Sequence, residues 1–83
     1  MIREYVADLA AQMRMQLSRV SLVEGRKVGC LDMHLLNLVA DGHLVSTLVY
    51  QTELDELQNG FPCPRLEMKI RSALSRLQML LEP

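Results

Sequence analysis

The sequence has no tryptophan, one phenylalanine and two tyrosines in 83 residues, so it offers no aromatic platform on which nucleotide bases could stack. Its four glycines, Gly25, Gly29, Gly42 and Gly60, stand isolated. That excludes a glycine-rich phosphate loop, and no nucleophile elbow is present either. The two cysteines, Cys30 and Cys63, form no CxxC pair, and in a chain without a visible export signal they read as reduced thiols rather than a disulfide. No apolar run approaches the ~18 residues of a membrane span. Glu4 and Asp8 interrupt "MIREYVADLAAQMR" where an export signal needs an unbroken apolar stretch. The expectation is a cytoplasmic protein with no membrane association.

What is present is apolar. Hydrophobic residues make up 49% and charged residues 23%, too hydrophobic a balance for intrinsic disorder. The length predicts one small domain spanning 1–83. A chain of this size buries only about 60–65% of the surface its unfolded form exposes, so a partner chain would help it. The net charge of −1 hides a segregation: between residues 28 and 60 there is no Lys or Arg, while Asp32, Asp41, Glu53, Asp55 and Glu56 are acidic. Both ends carry a basic excess, which favours the acidic middle lying against them within one chain or between two.

Ile2, Val6, Leu9, Met13, Leu17 and Val20 recur at three- and four-residue spacings, the pattern of an amphipathic helix of about six turns ending near Leu22 or Val23. "EGRKVG" then supplies a connection. At the other end, Leu66, Ile70, Ala73, Leu74, Leu77 and Leu81 share a helical face. Pro64 suits the first turn of that helix, where its missing N–H would have no partner anyway.

The middle decides the fold class. In "LLNLVADGHLVSTLVY", a two-residue Asp41-Gly42 turn sets Val39 opposite Leu44, Leu35 opposite Leu48 and Met33 opposite Tyr50. On that face the one polar pair is Asn37 with Ser46, which could hydrogen-bond across the strands. Thr52 reads as the cap of a short helix with Asp55 at its third position, and Asn59-Gly60 as its stop. The predicted class is α+β: N-terminal helix, two-stranded antiparallel hairpin, short helix, long C-terminal helix. The alternative is an all-α helical bundle, whose seam would have to pass through Asp41-Gly42.

The residues that could carry chemistry form no known constellation. Cys30, His34, His43 and Cys63 are of metal-ligand type. On a strand, however, Cys30 and His34 stand about 13 Å apart and cannot share an ion. Cys30 or Ser46 with His34 or His43 and Asp32 or Asp41 could be written as a nucleophilic set, but no motif marks them. No catalytic residue, metal site or cofactor is predicted. Arg65, Lys69 and Arg76 fall close together around the C-terminal helix and are the candidates for phosphate contact. Glu67 and Glu82 share that helix, and the pI of 6.1 is low for a nucleic-acid-binding domain. Six methionines, with Met15 and Met79 off the apolar stripes, suit a surface that adapts to partners.

"YQTELDEL" resembles the glutamate-leucine-aspartate core of the small helical phosphatases that act on sporulation response regulators, but Gln51 and Thr52 replace that family's serine and glutamine. "LLNLVADGHLVS" with "RSALSRLQMLL" resembles the small helical connector proteins of enterobacterial biofilm regulation through a glycine, a serine and leucines. That resemblance requires a helix where the residues read as strand, and neither yields a family.

The functional expectation is a non-enzymatic protein-interaction module, a regulatory adaptor, antagonist or chaperone-like protein, acting as a homodimer. Leu36, Leu38, Val45 and Val49 of the hairpin and Leu74, Leu77 and Leu81 of the C-terminal helix are the expected interface. The alternative is a dimeric nucleic-acid-binding transcriptional regulator using that helix.

Overall fold

The computed structural model describes residues 2–25, 29 and 32–82. The elements run α1 (Ile2–Gln12), β1 (Arg19–Glu24), β2 (Met33–Ala40), β3 (His43–Tyr50), α2 (Gln51–Gln58) and α3 (Pro64–Leu81). The class is α+β, with one antiparallel sheet in the order β1-β2-β3. The sheet has three strands where the sequence reading expected two.

The extra strand comes out of the expected long helix. Helix α1 buries Val6, Leu9 and Ala10, then stops. The Arg14 amide donates to Ala11 O at 3.0 Å and the Met15 amide to Ala10 O at 2.8 Å, while Arg14 sits at φ 57°. This pair of bonds around a left-handed residue is a Schellman stop. Arginine in the position that glycine usually holds left no mark in the sequence. From Arg19 the alternation of Val20 and Leu22 with Arg19, Ser21 and Val23 takes over, and β1 pairs with β2 as Val20 with Leu38 and Leu22 with Leu36. Residues spaced for a helix face thus also fit a strand, and long-range pairing decides.

The hairpin forms in the expected register, with Val39 opposite Leu44, Leu35 opposite Leu48 and Met33 opposite Tyr50. Asp41 and Gly42 have φ of 49° and 80°, the double positive φ of a type I′ turn that suits Asp-Gly. Ser46 Oγ donates to Asn37 Oδ1.

Helix α2 begins two residues earlier than the Thr52 cap implied. Tyr50 is its N-cap, and Glu53 at the third position accepts the Tyr50 amide at 2.8 Å. Its end is a second Schellman stop, with Gly60 N–H on Leu57 O and Phe61 N–H on Glu56 O. Here the left-handed residue is Gly60, at φ 77°. Helix α3 starts at Pro64 as expected, with Cys63 as N-cap.

Helices α1 and α3 pack side by side on one face of the sheet. The buried core joins Val6 and Leu9 of α1 and Leu66, Ile70, Leu74 and Leu77 of α3 to Leu36, Leu38, Val45 and Val49 of the sheet. Extents of 38 × 28 × 17 Å leave room for one sheet and one helix layer, so nothing among the described residues covers the sheet's other face. No helix among the described residues is long and apolar enough to cross a membrane.

Candidate interaction surface

Alternation along the strands gives every second residue to the uncovered face. By register these are Arg19, Ser21 and Val23 of β1, Met33, Leu35, Asn37 and Val39 of β2, and Leu44, Ser46, Leu48 and Tyr50 of β3. Val23, Leu35, Leu44, Leu48 and Tyr50 are large, apolar or aromatic, and exposed, Leu44 at 58% and Leu48 at 48%. Arg19 is the one charge in this set. Ser21, Asn37 and Ser46 form a polar row across the three strands, and the Ser46–Asn37 bond satisfies part of it within the face.

The expected interface residues lie elsewhere. Leu36, Leu38, Val49, Leu74 and Leu77 have no exposed surface and Val45 is buried. Leu81 is half-buried against the same core. The sequence reading saw two apolar hairpin faces and assigned the partner to the one that α1 and α3 cover. The residues left for a partner are the alternate set, Leu35, Leu44 and Leu48 with Val23. Met79 is exposed, whereas Met15 is half-buried against the core.

The phosphate candidates separate. Arg65 is exposed on the first turn of α3. Lys69 Nζ lies 2.6 Å from Glu53 Oε1, 3.0 Å from Leu48 O and 4.6 Å from the centre of the Tyr50 ring. Arg76 Nη2 donates to Ser46 O at 3.4 Å. With the two-residue turn making Ala40 and His43 a hydrogen-bonded pair, Ser46, Leu48 and Tyr50 turn their backbone groups away from β2. Lys69, Arg76 and the Glu53 carboxylate therefore occupy the outer edge of β3, which blunts it against pairing. Lys69 with Glu53 is the expected approach of a basic end to the acidic middle. Arg71, by contrast, bonds within the basic ends, to Glu67 at 3.2 Å and Gln12 at 2.6 Å.

Glu53 is 6% exposed. Its Oε1 takes both the Lys69 ammonium and the Tyr50 amide, while Oε2 has no hydrogen-bond partner among the described residues. Beside it the buried Cys63 thiol approaches Glu53 O at 3.7 Å and Glu56 Oε2 at 3.5 Å. Burial, then the Glu56 hydrogen bond and the charges of Glu56 and Glu53, push this thiol above its ordinary pKa, which makes it a poor nucleophile. Cys30 lies outside the described residues.

His34, 3% exposed, accepts the Gly25 amide on Nδ1 at 3.0 Å and meets Gln51 Oε1 through Nε2 at 2.6 Å. These partners fit the tautomer protonated on Nε2 and leave no ring lone pair for a metal. The histidine is a tie between the β1–β2 connection and the start of α2. His43 is exposed beside the turn. Among the described residues no group of three or more His, Cys, Asp or Glu could hold a metal ion. The polar role of Glu53 was missed because the cap was placed at Thr52, although a glutamate three residues after Tyr50 was there to be read.

Comparison with models of known protein families, with curated proteins and with solved structures finds no match to this chain. The reading of function rests on the surface itself.

Proposed function

We propose that this chain is a small, non-enzymatic protein-interaction module, of the regulatory adaptor, antagonist or chaperone-like kind, and that it self-associates as a homodimer through the open face of its sheet. The observation that carries this is the cluster of exposed Val23, Leu35, Leu44, Leu48 and Tyr50 on one flat face. Surface of this kind, with one charge in it, is characteristic of a contact site.

A second copy is the partner that this face suits. With Arg19 as its one charge the face offers little to a highly charged partner, and an isologous contact sets the same apolar side chains against each other. Two such sheets can stack about 10 Å apart with side chains interdigitating. Three strands of six to eight residues present a face of about 14 by 25 Å. That buries a few hundred Å² per chain, in the range of exchangeable rather than obligate association. An exchangeable dimer suits an adaptor that trades its own copy for another protein.

Sedimentation velocity of the wild type and of Leu48→Asp tests this. The wild type should dimerise in the micromolar range. The variant should be monomeric, with an unfolding midpoint equal to the wild type's in dilute protein and below it where the wild type dimerises, since Leu48 lies outside the single chain's core. A wild type that stays monomeric at high micromolar concentration would sink the proposal.

A further inference from the structure

The two edges of the sheet differ. The β3 edge is occupied by Lys69, Arg76 and Glu53. On β2, Leu35 and Asn37 direct their backbone groups to β1, where Val23 and Ser21 stand opposite them. By the alternation of an antiparallel ladder, Val20 and Leu22 turn their amides and carbonyls outward. Among the described residues no donor or acceptor meets those groups. Beside this edge a cavity of ≈ 520 Å³ opens between α1 and β1, its apolar wall formed by Ala7, Ala10, Met15, Leu17 and Val20. Arg3 and Arg19 also line it, and no acidic residue does.

We propose that β1 is a receiving edge. An extended peptide segment of a partner protein adds to it as a fourth strand, lays an apolar side chain in the cavity and sets carboxylates against Arg3 and Arg19. Each part of the surface supplies one requirement of strand addition: unpaired backbone groups for affinity, an adjoining pocket for alternate side chains, and charge for selection. The volume falls within the ~300–1,000 Å³ of sites that take up ligand groups. Arginines without a competing acid favour an acidic segment over a neutral or basic one. The site meets the open face only at Arg19, so a dimer closed through that face leaves the outward backbone groups of β1 and the cavity free.

The test is selection of a displayed library of random dodecapeptides on the full chain, followed by amide chemical-shift mapping with the recovered peptides. The expected peptides combine Asp or Glu with an apolar residue and shift the amides of Ala7, Val20 and Leu22. Val20→Pro removes an outward N–H that the ladder does not use, so it should abolish binding with the circular-dichroism spectrum unchanged. Arg3→Glu, on α1 and outside the open face, should weaken binding about fivefold, the loss of one ion pair at the rim; this second variant decides the matter if the proline disturbs folding. Recovery of no peptide, recovery without acidic bias, or shifts confined to Leu35, Leu44 and Leu48 would overturn the proposal. Sedimentation of Val20→Pro separates the two readings, because a lost dimer belongs to the open face and a lost peptide to the edge.

Discussion

The two faces of the sheet are built from alternate residues of the same strands, and their apolar content is similar. Under the helices lie Leu36, Leu38, Val45 and Val49; on the open side are Leu35, Val39, Leu44 and Leu48. What differs is where the polar groups stand. The covered face carries Thr47 among its leucines and Glu24, His34 and His43 toward its ends, and His34 has both ring nitrogens bonded by Gly25 and Gln51. The open face carries a row of three, Ser21, Asn37 and Ser46, through its centre. Covering that row with helices would bury polar groups that helix side chains would have to satisfy, at about 1–3 kcal/mol for each one missed. Hydrophobic count does not select the core face. The two faces differ in where their polar residues stand and what those residues bond.

Neighbouring leucines in β2 stand on opposite faces of the sheet. Leu36 has no exposed surface and Leu35 is 37% exposed. Leu36→Ala should cost about 2–5 kcal/mol, the range for truncating a buried leucine, whereas Leu35→Ala in dilute protein should cost less than about 1 kcal/mol. Urea titrations at low concentration measure both. Equal losses would mean that the second face is as packed as the first.

That pair also shows what the sequence could tell. The hairpin was legible because Asp-Gly demands one turn type and its register pairs like with like along one face, Val39 with Leu44, Asn37 with Ser46 and Leu35 with Leu48. Helix α3 was legible from Pro64 and a regular apolar stripe. Strand β1 was not: Leu17 and Val20 extend the α1 stripe, the stop falls on an arginine, and the pairing of Val20 and Leu22 with Leu38 and Leu36 is a long-range event that no local window contains. The choice of face was equally hidden. It depends on which face α1 and α3 come to cover, a long-range event like the pairing of β1, and the expected interface fell on the core side for that reason.

The next smaller effect tests what keeps the β3 edge closed. Lys69→Met leaves the Glu53 carboxylate buried with the Tyr50 amide as its remaining donor and frees Leu48 O. Breaking a buried pair from one side costs about 3–5 kcal/mol. The Lys69 side chain is 26% exposed, so water recovers part of that, and a loss of about 1–3 kcal/mol is expected. Adding Glu53→Gln should restore some of it, since the orphaned charge is then gone. A neutral Lys69→Met in the same urea titration would show that the edge is held by α2 alone and that the contrast between the edges is weaker than drawn.

A gain of stability is expected at the helical cover of the other face. Helix α1 supplies Val6, Leu9 and Ala10 to that cover, and it reaches the sheet through the stop at Arg14, a residue with a Cβ at φ 57°. A left-handed conformation costs an L-residue about 1–2 kcal/mol, and glycine avoids this while losing more backbone entropy on folding. The difference favours Arg14→Gly by about 0.5–1 kcal/mol. The same bonds from residues 14 and 15 to Ala11 and Ala10 would form, now without strain. Because Arg14 does not belong to the open face, the gain should appear in the unfolding midpoint at every protein concentration and leave the dimer constant untouched. A destabilised Arg14→Gly would mean that the arginine side chain contributes more to this turn than its backbone costs.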